Sequence, residues 1–353
     1  MEGKVYTGTF TSGASLSDTL LLVNGSDISG ATVTGFDNLT LASNAAVVMT
    51  PTQFTQFSGT ITAPGTERIT FSVAGTMTAA AAIEQYQLAN GTNDFTSVDA
   101  DVTVSGGTGT DTFHFTANQI LNRTNSVTGG GGNDVLTIGA TATATIDLNS
   151  VPLTLSGVAI VTVTGSTGTA TFTNLNGTGR TLNYVKGTGD ITLNLGTGGQ
   201  TLNLTSSGPS AATVLGSAAP DTIGLPPSDT GTVTLIETGS NMSNRTQIDT
   251  VANFNQAGSS TCFFKTGVAA GSVGSFIIGS ADTSNYLSSI GSGLSIVLNN
   301  TGQAYLITIQ TGSAAGTYLF QNTGSNTSQF DDTDFFVKLT GNIGTIASNN
   351  LIQ

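Results

Sequence analysis

The chain has 353 residues, of which only 8% are charged; 8 Lys and Arg stand against 21 Asp and Glu, for a formal charge of −13. The basic residues are scattered singly (Lys4, Arg68, Arg123, Arg180, Lys186, Arg245, Lys265 and Lys338), so no basic stripe exists to neutralise phosphates, and nucleic acid and anionic membrane surfaces are excluded as partners. A hydrophobic content of 37% and a mean hydropathy of +0.15 supply a core despite 46 glycines, and the longest apolar runs fall far short of the ~18 residues a membrane-spanning helix needs.

Met1-Glu2-Gly3-Lys4-Val5-Tyr6 lacks the basic-then-apolar order of a cleaved signal peptide: either the sequence is trimmed at this end or export does not use that route. Helical periodicity is confined to Thr52–Phe57, Ala79–Ala89, Ala117–Asn122 and Ser284–Ile290, each one to three turns long. Most of the remainder alternates Thr or another polar residue with an apolar one between glycines, as in Thr162–Thr164, Thr171–Thr173, Ile191–Leu193 and Thr201–Leu204, and is predicted to form short strands with one inward face. Gly-Thr-Gly begins at Gly177, Gly187 and Gly196. A strand and a turn every nine or ten residues predict an all-β fold: a parallel β-solenoid with about 19 residues per coil, coils stacked ~4.8 Å apart and glycine at the corners.

A second repeat places Gly, then Asp five positions on, then a large apolar residue two further on, at Gly13/Asp18/Leu20, Gly106/Asp111/Phe113, Gly129/Asp134/Leu136 and Gly216/Asp221/Ile223. The middle two are complete: Gly106-Gly107-Thr108-Gly109-Thr110-Asp111-Thr112-Phe113-His114 and Gly129-Gly130-Gly131-Gly132-Asn133-Asp134-Val135-Leu136-Thr137. These nonapeptides resemble the calcium-binding repeat of the repeats-in-toxin proteins. Glycines turn carbonyl oxygens inward and Asp adds a carboxylate, which suits a hard cation that takes six to eight oxygens. The resemblance therefore implies Ca2+ held by Asp111 and Asp134 with Gly106, Gly109, Gly129 and Gly132, and Asp221 as a third, incomplete candidate. At Gly13 and Gly216 the extra glycines are missing and ordinary turn chemistry explains the pattern. The 23 residues from Asp111 to Asp134 are read as a coil of about 18 with an insertion at Asn118–Asn125.

Gly35-Phe36-Asp37-Asn38-Leu39-Thr40-Leu41 and Gly157-Val158-Ala159-Ile160-Val161-Thr162-Val163 resemble internal repeats of type I secreted bacterial surface proteins, including surface-layer proteins. Gln247-Ile248-Asp249-Thr250-Val251-Ala252-Asn253-Phe254 is similar to the entry to their terminal cap, with Asn253 in place of the second Asp, and Tyr305–Ile307, Gly316–Gln321 and Asp334–Gly341 are similar to its closing strands. This implies three parts: an N-terminal solenoid at 1–100, a calcium-motif solenoid at 101–225, and a C-terminal β cap carrying the export signal at 226–353.

Chemistry-bearing residues are few. His114 alternates with Phe113 and Phe115 and reads as a strand-surface histidine; Cys262, the single cysteine, reads as a buried small hydrophobe. No Ser has Gly at both −2 and +2, so a nucleophile elbow is absent. A glycosidase needs two carboxylates ~5–9 Å apart. The clusters Asp94/Asp99/Asp101 and Asp331/Asp332/Asp334 are the candidates, with solvated turns as the plainer reading. Thr-x-Thr runs at Thr141–Thr145, Thr162–Thr164 and Thr169–Thr173 raise ice binding, against threonine's ordinary preference for outward strand positions. The expectation is a non-enzymatic, secreted, extracellular protein that assembles with copies of itself into a surface layer or filament, stabilised by calcium. The alternative is an adhesin or module binding cell-surface polysaccharide.

Overall fold

The computed structural model describes residues 3–13, 17–139, 144–147, 151–164, 170–173, 181–196, 198–205, 209–226, 231–238, 243–244, 246–254, 261–281, 301–324, 330–341 and 343–353. The turns at Gly177 and Thr197, the threonines Thr141, Thr143 and Thr169, and the helix expected at Ser284–Ile290 lie outside these residues. Among the described residues 48% are in strands and 5% in helices, and most strand pairs are parallel. The chain forms two compact units, Met1–Gly139 with Ser150–Thr162, and Ala140–Asn149 with Val163–Gln353.

In the first unit, strands Ala46–Met49, Arg68–Phe71, Gln85–Gln87, Thr103–Ser105, Asn125–Thr128 and Leu153–Ser156 form one parallel sheet. Thr76–Thr78, Asn93–Thr96, Asp111–Thr116 and Asp134–Gly139 run parallel to one another in a second. Period-two alternation decides which side chains enter the core: Ile69, Phe71, Tyr86, Val104 and Val127 from one sheet, and Met77, Phe95, Phe113, Phe115, Leu136 and Ile138 from the other, are all buried. Tyr86 joins the two layers, stacked on Phe71 at 6.4 Å and tilted against Phe95 at 5.1 Å.

Two short helices, Pro51–Thr55 and Ala117–Asn122, begin where expected. Each opens with Thr-x-x-Gln: Thr50 accepts the Gln53 N–H and Thr116 the Gln119 N–H, while each Gln returns its oxygen to the threonine N–H. Ala79–Ala89 is not a helix. It makes a turn followed by strand Gln85–Gln87, because that strand pairs on both sides, with Arg68–Phe71 and Thr103–Ser105, and buries Tyr86. The alanine preference for helix, a few tenths of a kcal/mol per residue, does not outweigh two ladders and a buried ring.

In the second unit, Ala144–Asp147, Ala170–Thr173, Ile191–Asn194, Ala212–Leu215, Thr232–Ile236, Thr261–Lys265 and Leu351–Ile352 form a parallel sheet. Thr181–Val185, Thr201–Leu204, Thr222–Gly224, Asp249–Ala252 and Phe335–Thr340 form another parallel run, which Gly316–Gln321 and Gln303–Thr311 extend antiparallel and Ser272–Ser280 completes. Phe264 and Phe335 meet at 5.0 Å between the two sheets. Tyr318, Phe320, Phe330 and Phe336 close a further aromatic cluster on the antiparallel strands. Register aligns Thr145, Thr171, Thr192, Thr213 and Thr234 in one column, more regular than the sequence suggests, and Phe263 ends it.

Candidate functional site

The Gly-Gly-x-Gly turns of the two nonapeptides lie directly against each other in the first unit. Gly106 N–H donates to Thr128 O at 2.8 Å, Gly109 N–H to Gly131 O at 2.6 Å and Gly131 N–H to Gly107 O at 3.1 Å. Gly109 and Gly132 have φ of 130° and 124°, and a Cβ on Gly132 would overlap the Gly109 carbonyl. A Cβ on Gly106 would overlap both Gly129 O and Asp111 Oδ2, and one on Gly129 both Gly157 O and Asp134 Oδ2. Glycine is therefore required here for close approach between the turns, a reason different from the inward-turned carbonyls read from the motif.

Each motif aspartate opens a strand and is fully buried. Their buried oxygens serve donors one strand away in the column and, for Asp111, in its own turn. Asp111 Oδ1 accepts the Asn93 N–H at 3.1 Å and the Asn93 Nδ2 at 2.7 Å, and its Oδ2 accepts the Gly107 N–H at 3.0 Å. Asp134 Oδ1 accepts the Asp111 N–H at 2.8 Å, and Asn93 Oδ1 accepts the Gly75 N–H at 3.2 Å. Gly75, Asn93, Asp111 and Asp134 thus form a ladder in which each side chain caps the main chain of the rung before it.

The second unit repeats the device. Asp221 Oδ1 accepts the Gln200 N–H at 2.7 Å and the Ser217 hydroxyl at 2.9 Å, its Oδ2 accepts the Ser217 N–H at 2.7 Å, and Asp249 Oδ1 accepts the Asp221 N–H at 2.7 Å. Rungs of both ladders are 18 to 28 residues apart in sequence. The 18-residue step from Asn93 to Asp111 is the short case. The 23-residue step to Asp134 carries the helix Ala117–Asn122, which takes up the insertion read from the sequence.

As candidate calcium ligands these carboxylates differ. Both oxygens of Asp111 and of Asp221 are engaged by protein donors. Asp134 Oδ2 is buried and, among the described residues, has no donor. Burial raises the Asp134 carboxyl above the usual range, opposed by the Asp111 N–H and reinforced by the Asp111 charge. An added cation would relieve that cost, so Asp134 is the member of the set with a free oxygen to offer. Among the described residues no group of three or more His, Cys, Asp or Glu is placed to hold a metal ion.

The remaining candidates are engaged locally. His114 Nε2 lies 3.2 Å from Asp94 Oδ1 on the outward strand face, Asp99 pairs with Arg123 at 2.8 Å, and Asp101 accepts the Thr124 N–H. Asp334 is buried, accepting N–H groups of Thr323, Gly324 and Asp331, and burial pushes it up to about 6. Cys262 is buried.

A second feature stands at the start of the first unit. Strand Thr19–Leu22 pairs on one side with Asn38–Leu41 and, among the described residues, has no partner on the other. Tyr6, Phe10, Leu20, Leu21, Leu22, Val23 and Ser26 line a mostly apolar groove there, and Leu21 is 61% exposed. That this edge has no second partner among the described residues depends on pairing, which no local pattern records.

No protein-family model matches the chain, and no curated protein matches it significantly. No described helix is long and apolar enough to cross a membrane.

Proposed function

We propose that this protein is a structural protein of the cell exterior, in which the parallel columns are β-solenoid coils and copies of the chain join through the open apolar edge at Thr19–Leu22. The observation that carries this reading is that edge: a strand side with no partner among the described residues, beside an exposed Leu21, is a template for another strand. Proteins that stay monomeric blunt such edges with charge, and Thr19–Leu22 has none. The low charge of the whole chain lets copies approach closely. Calcium enters this reading at Asp134, where one buried carboxylate oxygen is unused. The secreted location rests on the resemblance to type I secreted surface proteins and on a composition poor in Cys and Lys.

The test is negative-stain imaging of the purified chain at rising concentration, with calcium and with chelator. Sheets or filaments are expected, and Leu21→Lys should disperse them without changing the circular dichroism of the monomer. Dispersed particles for the unaltered chain in every condition would overturn assembly and favour a monomeric glycan-binding module.

A further inference from the structure

Glu237 follows strand Thr232–Ile236 and is completely buried, and Asp249, which opens its own strand, is 2% exposed. Ser243 connects them. Its N–H donates to Glu237 Oε2 at 2.9 Å, and its Oγ accepts the Asp249 N–H at 2.8 Å. The same Oγ donates to Phe336 O at 2.5 Å, and Phe336 N–H returns to Ser243 O at 2.9 Å. One serine therefore ties Glu237 and Asp249 to strand Phe335–Thr340, with Ser243 and Phe336 93 positions apart in sequence. With Asp249 Oδ1 taken by the Asp221 N–H, two oxygens are left over: Glu237 Oε1 and Asp249 Oδ2, both buried and, among the described residues, both without a donor.

Two neighbouring carboxylates that are dry on one side cannot both stay charged, since each loses hydration and repels the other. We propose that Glu237 and Asp249 keep one proton between them through neutral pH, and that this acid–carboxylate pair is a lock on strand Phe335–Thr340 that alkaline pH releases.

Among the described residues, the charged groups around the pair do not supply the missing positive charge. Asp221, heading the adjacent strand, adds repulsion. Lys265 is exposed, Lys338 lies with its Nζ 5.7 Å over the Tyr318 ring, and Asp334 is held by its own loop; Arg245 lies outside the described residues. Burial first, and then the Asp249 charge, hold Glu237 well above the usual carboxylate range; burial, with the Asp221 charge, pushes Asp249 up to about 7. A carboxyl whose folded value is raised binds more protons folded than unfolded, so its contribution is full below the unfolded value near 4 and is lost as pH climbs through about 7.

The test follows the melting temperature of the full chain from pH 5 to pH 9 in chelator, with Glu237→Gln and Asp249→Asn beside it. Either amide keeps the shape, accepts the existing N–H and donates permanently where the proton sits. The unaltered chain should lose melting temperature above pH 7; either amide should abolish most of that loss and melt about 3 °C higher at pH 8.5. At that pH, amide exchange at Ser243 and Phe336 should be slower in the variants than in the unaltered chain. An infrared band of a protonated carboxylic acid at pH 7.5, lost in Glu237→Gln, keeps the proposal testable if Asp249→Asn does not fold; absence of the band in the unaltered chain overturns it. An unchanged pH slope in the variants overturns it as well. So does calcium raising the melting temperature of the unaltered chain but not of Glu237→Gln, which would place a cation where the proton was assigned.

Discussion

Asp111 and Asp134 occupy equivalent positions in equivalent motifs, yet they have different work. Asp111 satisfies three donors with two oxygens, whereas Asp134 satisfies one and keeps a buried oxygen that has no donor among the described residues. Truncating a buried acceptor leaves its donors unpaired, at 1–3 kcal/mol per group. Asp111→Ala is therefore expected to cost about 3 kcal/mol, the same in calcium as in chelator. Asp134→Ala should lower the melting temperature more in calcium than in chelator; equal shifts would leave Asp134 as a rung of the ladder and nothing more. The nonapeptide spacing picked out both residues but not the difference. Which oxygen is free depends on Asn93 and Gly107, and Asn93 belongs to no motif.

Among the elements, the glycine turns and the two capped helices were legible locally, since positive φ and a Thr-x-x-Gln start are properties of a few consecutive residues. Gly131 and Gly132 separate chain conformation from neighbour contact in adjacent positions. Gly132→Ala must hold a side chain at φ 124° and displace the Gly109 carbonyl, whereas a Cβ on Gly131 meets nothing nearer than Thr108 Cγ2 at 4.0 Å. Thermal melts should show a loss of about 2 kcal/mol or more for Gly132→Ala and under ~0.5 kcal/mol for Gly131→Ala. Similar losses at both would mean the turns are not stacked as described. Ala79–Ala89 shows where local reading stops: its alanines favour helix, but Tyr86 is buried and paired on two sides, and those partners come from Arg68–Phe71 and Thr103–Ser105.

For the whole molecule, the net charge of −13 is unevenly distributed between surface and core. Asp134, Asp221, Glu237, Asp249 and Asp334 are buried and all are raised above their ordinary values, with burial as the largest cause. Each binds protons more readily folded than unfolded, so their joint contribution is greatest near pH 4 and declines as pH rises through about 6 for Asp334 and about 7 for Asp249. Calorimetry in chelator should show the melting temperature falling between pH 5 and pH 8, the reverse of a domain whose carboxylates are held by salt bridges. A maximum at pH 7 or above would contradict these shifts. By itself the sequence determined the all-β class, the parallel stacking implied by glycine-punctuated alternation, the turn glycines and the scarcity of basic partners, because each is written in residues close together or in bulk composition. Tertiary structure alone decided that aspartates spaced 18 to 28 residues apart stack as hydrogen-bond rungs, that Glu237 and Asp249 meet through Ser243, and that Thr19–Leu22 has a partner on one side only among the described residues. The reason is that burial and pairing are properties of neighbours in space, and a buried carboxylate changes its chemistry only when the strand beside it is in place.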